Sequence, residues 1–315
     1  MTPGRARQQG MAVVSALIVV AIVAALTSGL FLRQTSAIRQ VENEQARIQA
    51  RWLLLGGIDW ARLILGENAR REATVRRDQL WSTPVLDTRI EGGDDERAAV
   101  FSGSIQDEQG KYNLYNLAER GVVDETQLDV LARLLAALGL PDTLAPRLAE
   151  HVALTQGRAP AAPQAPGETP ATSAGGARAP QPRGIEDLAA LLQVDQAGAR
   201  AMRRTMTLLP AASLVNVNTA EPEVIAALVP GLSLAQARAV TGERDRGRWF
   251  NDSGDFTNRL STGDPPLQVP PVTTTSEWFL ATGTVAYQRA RVSMQALVST
   301  ARQRAPETVW IRETP

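Results

Sequence analysis

RQQGMAVVSALIVV, residues 7–20, contains the most abrupt change from charged and polar residues to apolar residues in the chain. A short basic leader ends at Gly10, and the 22 residues of Met11–Leu32 follow without a charge. As a helix rising about 1.5 Å per residue, this run is about 33 Å long, which is enough to cross a hydrocarbon core of about 30 Å. Arg5 and Arg7 precede it, so the positive-inside tendency places the N-terminus in the cytoplasm.

Three interpretations of this segment stay open from its residues alone. It could be a signal peptide cleaved after the apolar core, where ALTSGL (residues 25–30) offers small residues. It could be a plain membrane anchor. It could also be cut between Gly10 and Met11, so that the apolar helix stays in the mature protein. The run exceeds the usual signal core of about 7–15 residues, which favours retention.

The residues after the apolar run predict a continuing helix. There is no proline between Arg33 and Arg70. Apolar residues follow helical spacing at Ile38, Val41, Ile48, Trp52 and Leu55. We therefore expect one rod to about residue 75, whose distal half packs on a globular head. Gly56-Gly57 is its weak point, since each glycine costs about 1 kcal/mol relative to alanine.

The rest of the chain alternates between strand and helix patterns. TPVLDTRIEG (83–92) and AAVFSGSIQDEQG (98–110) predict strands, and the end of the chain predicts three more antiparallel strands. GKYNLYNLAERG (110–121) predicts a strand edge or turn leading into a helix. The chain between about Asp124 and Leu260 is helical in pattern, except for residues 157–183, which are rich in proline, alanine and glycine and predict a disordered or extended loop. A helical block between two groups of strands predicts an α-domain inserted into an α+β head.

Residues 214–256 look like a helix-hairpin-helix, with Asn218 or Thr219 as a cap and Pro230-Gly231 as the turn. Such units bind DNA phosphates through hairpin amides and nearby cations, so a membrane-anchored DNA-binding protein is the alternative function. The hairpin itself carries no basic residue. The motif's arginines are offset by nearby carboxylates; they are Arg238, Arg244, Arg246 and Arg248. Together with a net charge of zero, this favours a packing module and makes nucleic acid an unfavoured partner.

Residues for enzyme chemistry are scarce. The chain has no cysteine, which excludes thiol catalysis and thiolate metal sites, and its single histidine, His151, lies in helical pattern. Gly103 and Gly110 are spaced too widely for a phosphate-binding loop. The acidic stretches EGGDDE (91–96) and NDSGD (251–255) lack the EF-hand pattern, so we expect solvated turns there, and we expect no enzyme.

Five stretches carry a family resemblance, in this order: RQQGMAVVSALIVV, WLLLGGIDWARLIL, IQDEQGKYNLYNL, LVNVNTAEPEVIAAL and SEWFLATGTVAY. The chain resembles the general secretion pathway protein K family, the large minor pseudopilin of type II secretion, over nearly its whole length. The resemblance implies an α+β, pilin-like fold, in which a long N-terminal helix packs on an antiparallel sheet that is split by an α-domain. Its expected divisions are a leader (1–10), a transmembrane helix (11–32), the continuing helix (33–75), a first β region (76–117), the α-domain (118–265) and a second β region (266–315).

The resemblance also implies processing and partners. Prepilin peptidase would cut after Gly10 and methylate the amine of Met11. The protein would sit in the inner membrane with its head in the periplasm, at the tip of a pseudopilus built from the major pseudopilin, beside the I and J minor pseudopilins. No cofactor is required. Some members bind calcium, and the metal ligands stay unassigned in this chain.

Ser15 is the fifth residue after the expected cut. In major pilins this position carries a glutamate that neutralises the N-terminal ammonium of a neighbouring subunit, because an unpaired charge in the membrane costs several kcal/mol. Ser15 cannot supply that charge. In a simple anchor it would be an ordinary neutral residue; in this family it predicts a subunit that initiates and caps assembly.

Overall fold

A computed structural model describes residues 8–90, 98–157, 176–260, 267–301 and 305–314. The acidic stretch 91–96 and most of the proline-rich segment 157–183 lie outside the described residues, as does most of the leader.

The N-terminal helix, α1, runs from Gln8 to Arg71 as one element of 64 residues. At about 1.5 Å per residue it is about 96 Å long. It passes through Gly56-Gly57 without a break and ends four residues before the expected position. Arg70 and Arg71 occupy its last turn, where positive charge suits the helix dipole. The predicted rod is confirmed.

Within the described residues, five antiparallel strands form the main sheet in the order β1-β2-β7-β8-β9. They are β1 (Val85–Ile90), β2 (Ala99–Asp107), β7 (Trp278–Tyr287), β8 (Ala290–Ser299) and β9 (Glu307–Thr314). β2 and β7 pair along Val100–Asp107 although the helical block separates them in sequence. The two β regions therefore make one sheet, and the helical block is an insertion into it.

The inserted domain lies between β2 and β7 and has one continuous apolar core. Its helices are α2 (Glu125–Ala137), α3 (Leu144–Thr155), α4 (Ile185–Leu191), α5 (Gln196–Thr205), α6 (Pro222–Leu228), α7 (Leu234–Asp245) and α8 (Ser253–Leu260). Asp124 caps α2 by accepting from the amides of Thr126 and Gln127. Gly139, with a φ of 68°, follows its end.

Short strands connect the sheet to the helices. β3 (Tyr112–Asn113) pairs in parallel with β6 (Met206–Thr207), and β4 (Ala118–Glu119) forms a small hairpin with β5 (Val122–Val123). The stretch 110–121, expected as a strand edge or turn before a helix, is thus built from these strands and a 3₁₀ turn. Tyr112 and Leu114 are buried and belong to the helical domain's core.

The distal half of α1 packs on the sheet, as predicted, but through a different face from the one that its large side chains suggest. The buried residues are Ala46, Ala50, Leu54, Ile58, Ala61 and Leu65. Of the expected series, Ile38, Val41, Ile48 and Trp52 are exposed, and Leu55 is half-buried. Close approach explains the difference: a methyl group at Gly57 would lie 2.7 Å from the Phe101 ring on β2. Alanine and glycine let the helix backbone come near the sheet.

Candidate functional site

The first described turns of α1 contain the expected processing position. Gly10 and Met11 lie inside the helical segment, and Met11 is exposed. Ser15 Oγ donates a 2.8 Å hydrogen bond to the carbonyl oxygen of Met11, one turn earlier. A serine in an apolar helix satisfies its hydroxyl in this way without a partner chain. The position therefore carries a neutral, internally bonded side chain. Cleavage after Gly10 and methylation of Met11 stay predictions.

Within the described residues, one helix is long and apolar enough to cross a membrane, and it is α1, with a mean hydropathy of 2.6 in its most apolar window. That window has no buried residue, so its side chains are not covered by the chain's own fold. Two of the hydroxyls in this segment are bonded within the helix, since Thr27, like Ser15, donates to the carbonyl one turn earlier. A side-chain surface of this kind suits lipid.

The helical domain joins the sheet through a buried carboxylate at the end of β2. Asp107 Oδ2 accepts from Asn216 Nδ2 (3.1 Å), Thr219 Oγ1 (2.5 Å) and Ser276 Oγ (2.7 Å), and its Oδ1 accepts from the amide of Gln109 (2.8 Å). Asn216 and Thr219 belong to the helical domain, whereas Ser276 precedes β7. Burial raises the pKa of Asp107, and the four donors act against that rise.

The chain leaving α1 is held at the same join. The Val75 amide donates to the carbonyl of Thr274 (2.8 Å), and Asn216 donates to the Val75 carbonyl (3.1 Å). Arg77 binds the Thr219 carbonyl and pairs with Glu221 at 2.9 Å. The inserted domain is therefore attached at the C-terminal end of α1, the end farthest from the apolar segment.

The helix-hairpin-helix-like segment uses its polar groups within the fold. Arg244 is buried, and its Nη1 donates to the carbonyls of Val217 (2.9 Å) and Ala220 (2.7 Å). Arg248 pairs with Glu243 at 3.1 Å. Arg244 is thus withdrawn from the expected arginine patch, whereas Arg238 and Arg246 stay exposed. The burial of Arg244 favours the packing interpretation.

The expected cap of this segment is wrong. Glu221 is the N-cap of α6 and Pro222 follows it, whereas Asn218 exchanges two hydrogen bonds with the backbone of Phe250, at 2.8 Å each. The sequence rule for polar caps misses this because Pro222, whose fixed φ suits the first helical position, sets where the helix begins.

The acidic stretch 251–255 is engaged internally. Asp252 accepts from the amide of Asp255, and Asp255 pairs with Arg259 at 2.7 Å, which lowers the pKa of Asp255. His151 is half-buried on α3. In the portion of the chain that the structure describes, no three carboxylate or histidine side chains group closely enough to hold a metal ion.

Sequence reasoning missed the residues that fix the join. Asp107 lies in IQDEQG, whose pattern indicates a strand end beside glycines that are spaced too widely for a phosphate-binding loop. Arg77 lies in a run of arginines without periodicity. A usable signal did exist: NVNTA (216–220) is a polar stretch between apolar residues, and such a stretch, when buried, needs partners elsewhere.

Two family models match this chain. Both are described as type II secretion system protein K; one matches residues 110–211 and the other residues 215–273. Together they cover about half of the chain. The matched residues include the helical domain and the segments that join it to the sheet.

Curated relatives match more of the length. Type II secretion system protein K of Pseudomonas aeruginosa is 29% identical over 82% of this chain and 78% of the relative. The protein of the same name from Klebsiella pneumoniae is 25% identical over 93% of this chain and 92% of the relative. A solved structure, the GspK-GspI-GspJ complex of enterotoxigenic Escherichia coli, contains a chain that superposes with a TM-score of 0.58 at 16% identity, over 88% of this chain and 99% of that one. That likeness shows the fold.

Proposed function

Because this chain belongs to the type II secretion system protein K family, we propose that it is the minor pseudopilin that initiates and caps the periplasmic pseudopilus. In this role it supports the export of folded proteins across the outer membrane. The family consists of pseudopilins and not of enzymes.

Ser15 carries the proposal of a tip position. Serine has no carboxylate, and its hydroxyl donates to the Met11 carbonyl of its own helix, so the fifth residue after Gly10 cannot neutralise the ammonium of a subunit above. A subunit inside the fibre would leave such an ammonium unpaired in lipid, at a cost of several kcal/mol. A subunit with nothing above it has no such cost.

The position of the inserted domain supports the same conclusion. Asp107, Arg77 and Asn216 attach it at the distal end of α1, beyond the sheet. A subunit stacked on top would meet this domain before it met the sheet. The domain therefore closes the upper end of the pseudopilus, opposite the end at which subunits are added.

The partners follow from the family. The similar chain from Escherichia coli was solved in a complex with GspI and GspJ, and we extend that tip complex to I-type and J-type minor pseudopilins here. The major pseudopilin adds below, and prepilin peptidase processes the leader. The protein spans the inner membrane once, with its N-terminus in the cytoplasm and its head in the periplasm.

The first test is the mass of the N-terminal peptide of the protein extracted from membranes. We expect a chain that begins at Met11 with a methylated amine. A Gly10→Leu variant should keep its leader. An intact Met1 in the unaltered protein, or a chain that starts near residue 30, would contradict the proposal.

The second test separates a tip position from one inside the fibre. Ser15→Ala should leave pseudopilus assembly and secretion unchanged, because the hydroxyl bonds its own helix. Ser15→Glu should reduce both, since a carboxylate at the tip finds no ammonium above it. If Ser15→Glu assembles as well as Ser15→Ala, the carboxylate is paired, and the subunit lies inside the fibre.

A further inference from the structure

In the described parts of the chain, the inserted domain and the helix–sheet layer share no apolar cluster. The buried apolar residues of the domain lie between Tyr112 and Val272, whereas those of the layer lie outside that range. The contacts that hold the two regions together at Asp107 are polar. Regions of one chain move relative to each other unless the interface between them is large and apolar. The join is therefore the place in this molecule where such motion is expected.

The join is tight around Asp107, whose carboxylate accepts four hydrogen bonds. The backbone of Gly110 lies against the domain, because a methyl group there would be 2.7 Å from Thr219 Oγ1 and 2.9 Å from the Thr219 carbonyl oxygen. The side-chain oxygen of Gln109 accepts from the Glu277 amide at 2.6 Å. The segment that enters the domain is thus bonded to the segment that leaves it, and this contact can serve as a pivot.

Two clefts separate the regions beside the pivot. The first has a volume of about 230 Å³, and its walls include Ser82 from the chain that follows α1 and Arg204 from the domain. The second has a volume of about 190 Å³, and its walls include Arg76 from the same part of the chain and Trp249 from the domain. Arg77 lines both clefts. The open space on two sides of Arg77 leaves room for the domain to rock.

An ion pair spans the first cleft. Arg77 Nη2 lies 2.9 Å from Glu221 Oε1, and Glu221 Oε2 lies 3.5 Å from Arg204 Nη1. Arg204 also pairs with Glu223 at 3.1 Å. The pair of Arg77 with Glu221 joins the two regions, whereas the pairs of Arg204 lie inside the domain. The side chains of Arg77 and Glu221 are 42% and 25% exposed, so dissolved salt can screen their attraction.

We propose that the join is a hinge and that the ion pair of Arg77 with Glu221 is its latch. While the pair is formed, the inserted domain keeps one orientation relative to the sheet. When the pair is broken, the domain rocks about the contact at Asp107. The hinge is a property of the single chain, and it goes beyond the proposed function. At the tip of a pseudopilus it would let the domain tilt against the axis of the fibre.

Two further contacts limit how far the domain can move. The guanidinium of Arg76 lies 4.3 Å from the centre of the Trp249 ring, across the second cleft. Arg312 on β9 donates to the carbonyl of Arg183, which precedes α4. Each contact is made by one long arginine side chain, which can follow a moving partner. These contacts therefore bound the amplitude of the motion and do not fix one orientation.

The test measures the distance between the two regions in the detergent-extracted full chain. The chain has no cysteine, so introduced cysteines can be spin-labelled specifically. Ala286→Cys on β7 and Ala239→Cys on α7 are exposed positions, one in each region. Pulsed electron paramagnetic resonance then gives the distribution of distances between the labels. With the natural latch, this distribution should be narrow at low salt and about twofold wider at about 1 M salt, where the Debye length is about 3 Å.

Glu221→Gln removes the charge that pairs with Arg77. Its side chain makes no capping hydrogen bond, so α6 should keep its first turn. The distribution should already be wide at low salt in this variant. Glu223→Gln is the matched control, because it removes a carboxylate that pairs with Arg204 inside the domain and does not cross the join. This control should give a distribution as narrow as that of the protein with the natural latch.

A second pair of labels separates rocking from internal loosening. Ala136→Cys on α2 and Ala239→Cys are both exposed and both lie within the domain. Their distribution should stay narrow in every variant and at every salt concentration. Equal widths between the regions for Glu221→Gln and Glu223→Gln would overturn the proposal, as would a width that salt does not change. Broadening of the pair within the domain would also overturn it, because the domain would then be loosening and not rocking.

Discussion

The inserted helical domain and the helix–sheet layer are packed with different side chains. The domain fills its core with large groups such as Leu131, Leu134 and Phe250, all fully buried. The layer buries three alanines of α1 beside Leu54, Ile58 and Leu65, and Gly57 lies against the ring of Phe101. The domain therefore places its large apolar side chains inside, whereas α1 leaves several of its own outside.

This difference indicates how complete each region is. The helical domain packs its buried apolar side chains into one core. The layer has smaller clusters around Leu54 and Trp81, and its helix extends far beyond the sheet as an uncovered apolar surface. The helical domain therefore has one core of its own, whereas the layer leaves apolar side chains of α1 exposed. The polar join at Asp107 lies between them.

The largest expected effect comes from opening the domain's core with Phe250→Ala. Phe250 packs edge-to-face on Phe256 at 5.0 Å between ring centroids. Its truncation should cost about 4 kcal/mol, as for other buried aromatic residues. Because Phe250 belongs to the domain's cluster alone, the loss should be local. Hydrogen exchange on the detergent-extracted protein should rise in α6–α8 and stay low in β7 and β8.

The control for that experiment is Phe279→Ala, which truncates an aromatic residue in the layer, where Phe279 packs on Trp81 at 5.3 Å. It should show the reverse pattern of exchange. If both variants raise exchange equally in both regions, the molecule unfolds as one unit, and the contrast between the regions has no energetic meaning.

A smaller effect is expected at the join, from Asp107→Asn. An amide cannot accept on both sides, so its NH₂ group would face a donor that the carboxylate now accepts from. Such a mismatch should cost about 2 kcal/mol. It should loosen the domain against the sheet, and denaturant unfolding should report the loss.

The pH dependence of that difference provides a second readout. Burial raises the pKa of Asp107 in the folded protein, so the folded state binds the proton more tightly than the unfolded state does. The contribution to stability is then fully present below the unfolded value, near about 3.9, and declines as the pH rises through the folded pKa. The advantage of the natural protein over Asp107→Asn should shrink over that range. An advantage that grows with pH would contradict the raised pKa.

The same contrast explains what the sequence could predict. The helical domain was predictable because large apolar residues recur at helical spacing in stretches such as residues 124–140. The strands were predictable from alternation, and the rod from its lack of proline. The packed face of α1 was not, because a search for large apolar residues selects Trp52 and Ile48, whereas the face toward the sheet mixes leucine and isoleucine with Ala46, Ala50 and Gly57.

The join was not predictable for another reason. Asp107, Asn216 and Ser276 are far apart in sequence, and none of them stands in a recognised motif. Their shared hydrogen bonds exist only after β2 and β7 pair. By contrast, the hypothesis about Ser15 needs only its local spacing from Gly10, and it stays a prediction.

The smallest expected effect compares the two adjacent glycines of α1. At either site alanine gains about 1 kcal/mol of helix propensity. Gly56→Ala should keep that gain, because its methyl group meets open space. Gly57→Ala should instead lose about 1 kcal/mol, since overpacking costs about 2 kcal/mol when the neighbour cannot move. Phe101 is such a neighbour, because its ring also lies close to Gly103 and Gly283.

Thermal unfolding of both variants measures the difference. Equal stabilisation by both would mean that the ring can shift, and that the layer does not depend on close approach.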